Sequence, residues 1–212
     1  RPVELLVWVL AVFVSILVHE MGHAWIARCY GWEPSVTLYG FGGLASYSPT
    51  HHDTRSRIAI SAAGPAAGFL FIALVMAIVH AAGHPVRIAP ANLLPYWVFF
   101  DYFGGSLPNN LDILLMDLLY INIFWGLVNL LPVYPLDGGQ IARELFLHFN
   151  PQTGIKQSLW LSVLTGTGLA ILGAVTLQSL LMALFFGYMA YSSYAMLQML
   201  SGQGPGWGGP RW

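Results

Sequence analysis

Five long apolar stretches dominate this 212-residue chain: approximately Val3–Ala27, Ile58–Ala82, Leu114–Leu131, Leu159–Leu177 and Ser179–Leu200. A helix needs about 20 residues to cross a bilayer core of roughly 30 Å. The connections are too short to hold a soluble domain large enough to bury these stretches. The fold expected is therefore an all-α multi-pass membrane protein with about five transmembrane helices, its partner the lipid bilayer. Composition agrees, because 57% of residues are hydrophobic and only 8% are charged, against roughly 25% charged in ordinary soluble domains. A net charge of −1 with no basic cluster argues against nucleic acid as a partner. The single cysteine, Cys29, excludes an intrachain disulfide and a cysteine-rich metal site.

The first stretch has no small-residue cleavage site and runs directly into His19-Glu20-Met21-Gly22-His23, so it is expected to be a retained helix rather than a signal peptide. The last two stretches meet at Gln178 and should form a helical hairpin. Residues Val36 to Tyr47 are β-prone and punctuated by glycine, which favours a hairpin or re-entrant segment. The connection from His84 to Leu111 holds four prolines and an aromatic run, which suits an interfacial loop. The division expected is a core over residues 1–149, containing three spans, the hairpin and a short amphipathic helix Gln140–Phe149. A helical hairpin over 150–201 and a flexible glycine- and proline-rich tail over 202–212 follow. If five spans alternate, Arg28, Arg55, Arg57, Arg143, Lys156 and Arg211 share one side, against Arg1 and Arg87 on the other. The excess places the first side, with the C-terminus, in the cytoplasm.

The sharpest chemical signal is His19-Glu20-x-x-His23. Residues four apart share a helix face, so both imidazoles can bind one metal ion, with Glu20 beside them as a base for water. Composition alone predicts roughly 0.004 such matches in a chain of this length. A pair of buried structural histidines is the bland alternative, but ionisable groups in a membrane helix usually mark function. A catalytic zinc site takes three protein ligands and leaves a position open. Candidates for the third include Glu4, Glu33, Asp53, Asp101, Asp112, Asp117, Asp137 and Glu144, or another histidine. Alternation of the spans places Asp101, Asp112 and Asp117 on the side opposite His19, and Asp137 on the same side. Asp137 follows Asn129-Leu130-Leu131-Pro132-Val133-Tyr134-Pro135-Leu136 and precedes Gly138-Gly139. Two prolines three residues apart cannot continue a regular helix. Unwound backbone at membrane depth belongs where protein or a wet cavity surrounds it. A helix terminus with Asp137 as its cap is the plainer account of this run.

Together, H-E-x-x-H at the end of one span and N-x-x-P-x-x-P-L-D-G-G two spans later resemble the site-2 protease family of intramembrane metalloproteases. The resemblance runs from about Val3 to Gln140. It implies a zinc enzyme that hydrolyses peptide bonds within or near transmembrane segments of other proteins. His19, His23 and Asp137 would be the zinc ligands, Glu20 the catalytic residue and Asn129 a contact to the substrate backbone. The segment Leu38–Leu44, with Gly42 and Gly43, resembles the family's membrane-associated hairpin, whose edge would pair with unwound substrate. The small-residue run Ser61–Gly68 suits close helix packing, although Gly68 stands where relatives often carry asparagine. Unlike larger relatives, the chain is expected to lack a PDZ domain in its second connection and a nucleotide-sensing domain after its last span. Two rival readings stand beside this one. His80 and His84 repeat the four-residue spacing and invite comparison with diiron oxygenases, but an H-x-x-H-H box is missing. A catalytically inactive adaptor that binds membrane helices would have no need of Glu20.

Overall fold

A computed structural model describes residues 2–39, 42–48, 53–84 and 109–202. The order of elements is α1 (Pro2–Cys29), β1 (Glu33–Tyr39), β2 (Gly42–Ser48), α2 (Thr54–Ala81), α3 (Asn109–Asn129), α4 (Asp137–Phe149), α5 (Gly154–Val175) and α6 (Leu180–Leu200). Of the interfacial loop expected from His84 to Leu111, residues 109–111 belong to α3 and residues 85–108 lie outside the described residues, as do 203–212 of the tail expected over 202–212 and the histidines His51 and His52.

Among the described residues, α1, α2, α3, α5 and α6 are long and apolar enough to cross a membrane. Their outward surfaces carry large apolar side chains, among them Leu6, Leu70, Leu164 and Leu181, each more than 60% exposed. Water would be a poor solvent for such faces, and hydrocarbon suits them. The molecule is an integral membrane protein, with five such helices among the described residues. Several helices begin a turn or more before the apolar runs. α5 starts at Gly154 and takes in Lys156, and α3 starts at Asn109. Hydropathy marks the hydrocarbon core, whereas backbone hydrogen bonding continues into the polar interface. At its other end α3 stops at Asn129, before the predicted Leu131, because Pro132 disfavours helical backbone in the residue before it.

The chain forms two compact units, residues 1–48 with 63–127, and residues 49–62 with 128–212. In the first unit, Ala11 of α1, Ile72 of α2 and Leu118 and Leu119 of α3 form the core. Gly31, at φ +78°, ends α1 as the N–H of Trp32 returns to the Ala27 carbonyl at 3.1 Å. A positive φ suits glycine here and turns the chain into β1. The strands pair antiparallel, from Glu33 opposite Ser48 to Tyr39 opposite Gly42. They lie against α1. The hairpin expected from the glycine-punctuated run is thus formed, starting three residues earlier than Val36.

In the second unit, Val133, Leu136, Phe186 and Met189 form a separate core. The α5–α6 hairpin turns at Gln178, whose φ is +49°, as the tight join of the two apolar runs required. α4 begins at Asp137, three residues before the predicted Gln140, with Leu136 as N-cap and no side-chain cap bond. Asp137 is thus the first helical residue rather than the cap. A carboxylate in a first helical turn is favoured by the helix dipole. Arg57, in the first turn of α2, donates to Glu144 of α4 at 3.3 Å. Glu144 is thereby engaged as an ion-pair partner.

Candidate functional site

α1 runs unbroken past Ser15, His19 and His23, three polar residues at four-residue spacing, and all three are buried. The Nε2 atoms of His19 and His23 stand 3.1 Å apart, with their rings nearly perpendicular. A tetrahedral metal with bonds of about 2.0–2.1 Å to imidazole nitrogen separates two such nitrogens by about 3.3 Å. The pair therefore fits one edge of a metal's coordination shell. Glu20 is also buried, and it forms no hydrogen bond or ion pair with any described residue. A buried carboxylate is costly unless chemistry or a partner requires it there.

The small-residue run on α2 explains how this face stays closed. Gly64 lies directly over both imidazoles, and a Cβ there would collide with His23 Nε2 and approach His19 Nε2 at 2.8 Å. One turn along, Gly68 gives room to Asn122 of α3, whose Oδ1 would lie 3.1 Å from a Cβ at that position. The Asn122 amide donates to Ser15 Oγ at 2.9 Å and to the Leu118 carbonyl at 2.8 Å. The amide beside Gly68 is thus supplied by α3. The sequence reading missed Asn122. Its seven-residue spacing from Asn129 on one helix was the available signal.

In the second unit, residues 130–136 leave helical geometry. Turn bonds run from Leu131 N to Val128 O, Val133 N to Leu131 O and Leu136 N to Val133 O. Both polar backbone atoms of Tyr134 are met by hydroxyls. Tyr134 N donates to Ser162 Oγ of α5 at 3.0 Å, and Ser193 Oγ of α6 donates to the Tyr134 carbonyl at 3.4 Å. Both serines are buried. The C-terminal hairpin thus supplies the partners that broken backbone needs away from water. Gly138 packs so closely on the Leu130 and Leu131 carbonyls that a side chain would not fit. Asp137, between this segment and the body of α4, is buried, as is Asn129, whose Nδ2 has no hydrogen-bond partner among the described residues. His19, His23 and Asp137 each offer one ligating atom. Gly42 and Gly43 begin β2 and pair with Tyr39 and Leu38. His80 sits in the last turn of α2, and no group of three or more potential ligands among the described residues includes it or His84.

Comparison with known proteins meets this geometry from outside. The family model of Peptidase family M50 matches residues 7–172. A zinc metalloprotease of Methanocaldococcus jannaschii is 30% identical over 161 residues, 76% of this chain and 39% of that protein. A Synechocystis sp. protein provisionally named a zinc metalloprotease is 31% identical over 142 residues, 66% of this chain and 31% of its own length. The chain therefore spans less than half the length of these relatives. Among solved structures, the site-2 protease from Methanocaldococcus jannaschii matches with a TM-score of 0.54 over 90% of this chain and 77% of that one, at 24% identity, a likeness of fold. With a match that takes in both the H-E-x-x-H helix and the Asp137 turn, the chain belongs to peptidase family M50.

Proposed function

We propose that the protein is an intramembrane zinc metalloprotease that hydrolyses peptide bonds within or near transmembrane segments of other membrane proteins. The observation that carries this reading is the 3.1 Å approach of two buried imidazole nitrogens on a helix that also buries Glu20, the residue after His19. His19, His23 and Asp137 would hold the zinc ion. Zinc so held would supply Lewis acidity, acidifying water and polarising a carbonyl. Glu20 takes a proton from the attacking water as its oxygen bonds to the scissile carbonyl carbon. Glu20 then returns that proton to the amine as the C–N bond breaks. The Asn129 amide, buried and still able to donate, holds a carbonyl of the substrate backbone. An edge of the β1–β2 sheet, around Gly42 and Gly43, pairs with substrate that has unwound. Unwinding is required because a helix hides its carbonyls in its own hydrogen bonds.

In this reading residues 1–149 are the catalytic core, and the hairpin at 150–201 braces its broken segment through Ser162 and Ser193. The distribution of Lys and Arg puts the site near the cytoplasmic face. The test uses protein purified in detergent, its bound metal measured, with a tethered transmembrane substrate. Cleavage should require zinc, stop with chelator and return on readdition. Glu20→Gln should keep the metal and lose cleavage, whereas Asp137→Ala should lose both. Undiminished cleavage by Glu20→Gln would overturn the mechanism, and full metal content in Asp137→Ala would overturn the ligand set.

A further inference from the structure

α3 carries a second carboxylate for which the hydrolytic site has no use. Asp117 is half-buried and forms no hydrogen bond or ion pair with any described residue. The buried side of α3 is made by Leu115, Leu118, Leu119, Asn122 and Asn129. Asp117 falls on the other side, in line with Tyr120 and Phe124 at positions i+3 and i+7, which are 50% and 36% exposed. Its depth follows from its neighbour Leu118, which packs with Ala11 and Ile72. Both lie nine residues from the nearer end of a 28-residue helix, about 13 Å along the axis. An aspartate side chain is far too short to reach the interface from there, as a long lysine or arginine would.

Around this level the outward surface is otherwise apolar, with Trp8, Leu10, Phe13, Leu70 and Leu74 all exposed. An ionisable group facing hydrocarbon costs several kcal/mol unless paired, and such groups mark interaction or transport. Apart from His19 and His23, every Lys, Arg and His in the five spans sits in a first or last turn. A second copy in the same orientation therefore brings no cation to this depth. One turn along from Asp117, the rings of Tyr120 and Phe124 stack with centroids 5.5 Å apart and planes 8° from parallel. A carboxylate followed by a flat aromatic surface suits a cation on an apolar stem: the head pairs with the acid and the stem lies on the rings.

We propose that the Asp117–Tyr120–Phe124 face of α3 docks a transmembrane helix of another protein that carries one lysine or arginine at matching depth. This rests on the five-span membrane architecture and is independent of the hydrolytic chemistry, so the test reads binding rather than turnover. The full chain, labelled at its exposed single cysteine Cys29 and reconstituted in phosphatidylcholine vesicles, is titrated with acceptor-labelled helical peptides of about 20 Leu and Ala residues. One peptide carries a lysine at the depth of Asp117, one carries it about seven residues deeper on the same face, and one carries none.

The matched peptide should bind at least about tenfold tighter than the other two, a gap of about 1.4 kcal/mol. Asp117→Asn should bring the three within about threefold, and Asp117→Glu should keep the preference. The shifted peptide tests depth on the unaltered protein, so the proposal can fail even where a variant does not fold. Equal binding of all three by the native chain would overturn it, as would a preference that survives Asp117→Asn. Self-association of the native chain that vanishes in Asp117→Asn would assign the face to a second copy and overturn the proposed partner.

Discussion

Gly64 in the first unit and Gly166 in the second hold similar stations, each a helical glycine where two spans of its own unit meet, yet they face different things. A Cβ on Gly64 would run into the imidazoles of His23 and His19. A Cβ on Gly166 would meet the Ala190 methyl at 3.1 Å and the Phe186 carbonyl at 3.2 Å. Small residues let membrane helices approach closely wherever they occur. Whether such a residue matters to chemistry depends on what lies across from it, which a run of glycines and alanines does not reveal.

The largest effect is expected at the first station. Gly64→Ala should lower zinc affinity about 10- to 100-fold, the range seen when the groups that orient metal ligands are disturbed. Its effect on folding should be modest, because alanine's helix preference of about 1 kcal/mol offsets part of the crowding. Competition titration with a zinc-binding dye, beside a thermal melt, separates the two. Unchanged affinity would mean that α2 does not confine the rings.

Next in size is Gly138→Ala. Here the neighbours are the backbone carbonyls of Leu130 and Leu131, which cannot rotate away as a side chain can. Overpacking of this kind costs about 1–3 kcal/mol. Denaturation in mixed micelles should show that loss, whereas Gly64→Ala should not. A melt equal to that of the native chain would show that the broken segment can relax, and it would weaken the contrast between rigid and yielding neighbours.

The same contrast explains what was legible in the residues. The shared face of His19 and His23 could be read directly because residues four apart on a helix lie on one side. The break before Asp137 could be read because Pro132 and Pro135 forbid regular helix. The five spans followed from length and hydropathy, although their ends did not, since polar first turns such as Gly154–Ser158 continue a helix without adding to the apolar run. The serine partners of Tyr134 could not be read at all. Ser162 and Ser193 stand in otherwise unremarkable spans, and only tertiary packing brings one to the N–H and the other to the carbonyl of the same residue. Asn122 stayed hidden for the same reason, as its use depends on Ser15, 107 residues away.

Those serines supply a third and smaller perturbation. Ser162→Ala removes the acceptor for Tyr134 N–H and leaves a buried donor unmet. Hydrogen bonds between membrane helices average about 0.6 kcal/mol and reach about 1.7. This one serves broken backbone, so the upper end of that range is expected. Ser193→Ala, which gives up a longer 3.4 Å bond, should cost less. Unfolding of both variants under one condition gives the order. A reversed order would shift the brace from α5 to α6.

Gly166→Ala should be the mildest of all. The methyl of Ala190 and the carbonyl of Phe186 need to give only a few tenths of an ångström, and alanine's helix preference of up to about 1 kcal/mol acts in the opposite direction. Stability should therefore stay within about 1 kcal/mol of the native chain, and zinc affinity should not move. A large loss of zinc on Gly166→Ala would mean that strain between α5 and α6 reaches the ligands, and the distinction between a helix contact that shields chemistry and one that only packs would fail. Retained zinc at this station beside lost zinc at Gly64 would tie the metal to what each glycine faces rather than to glycine itself.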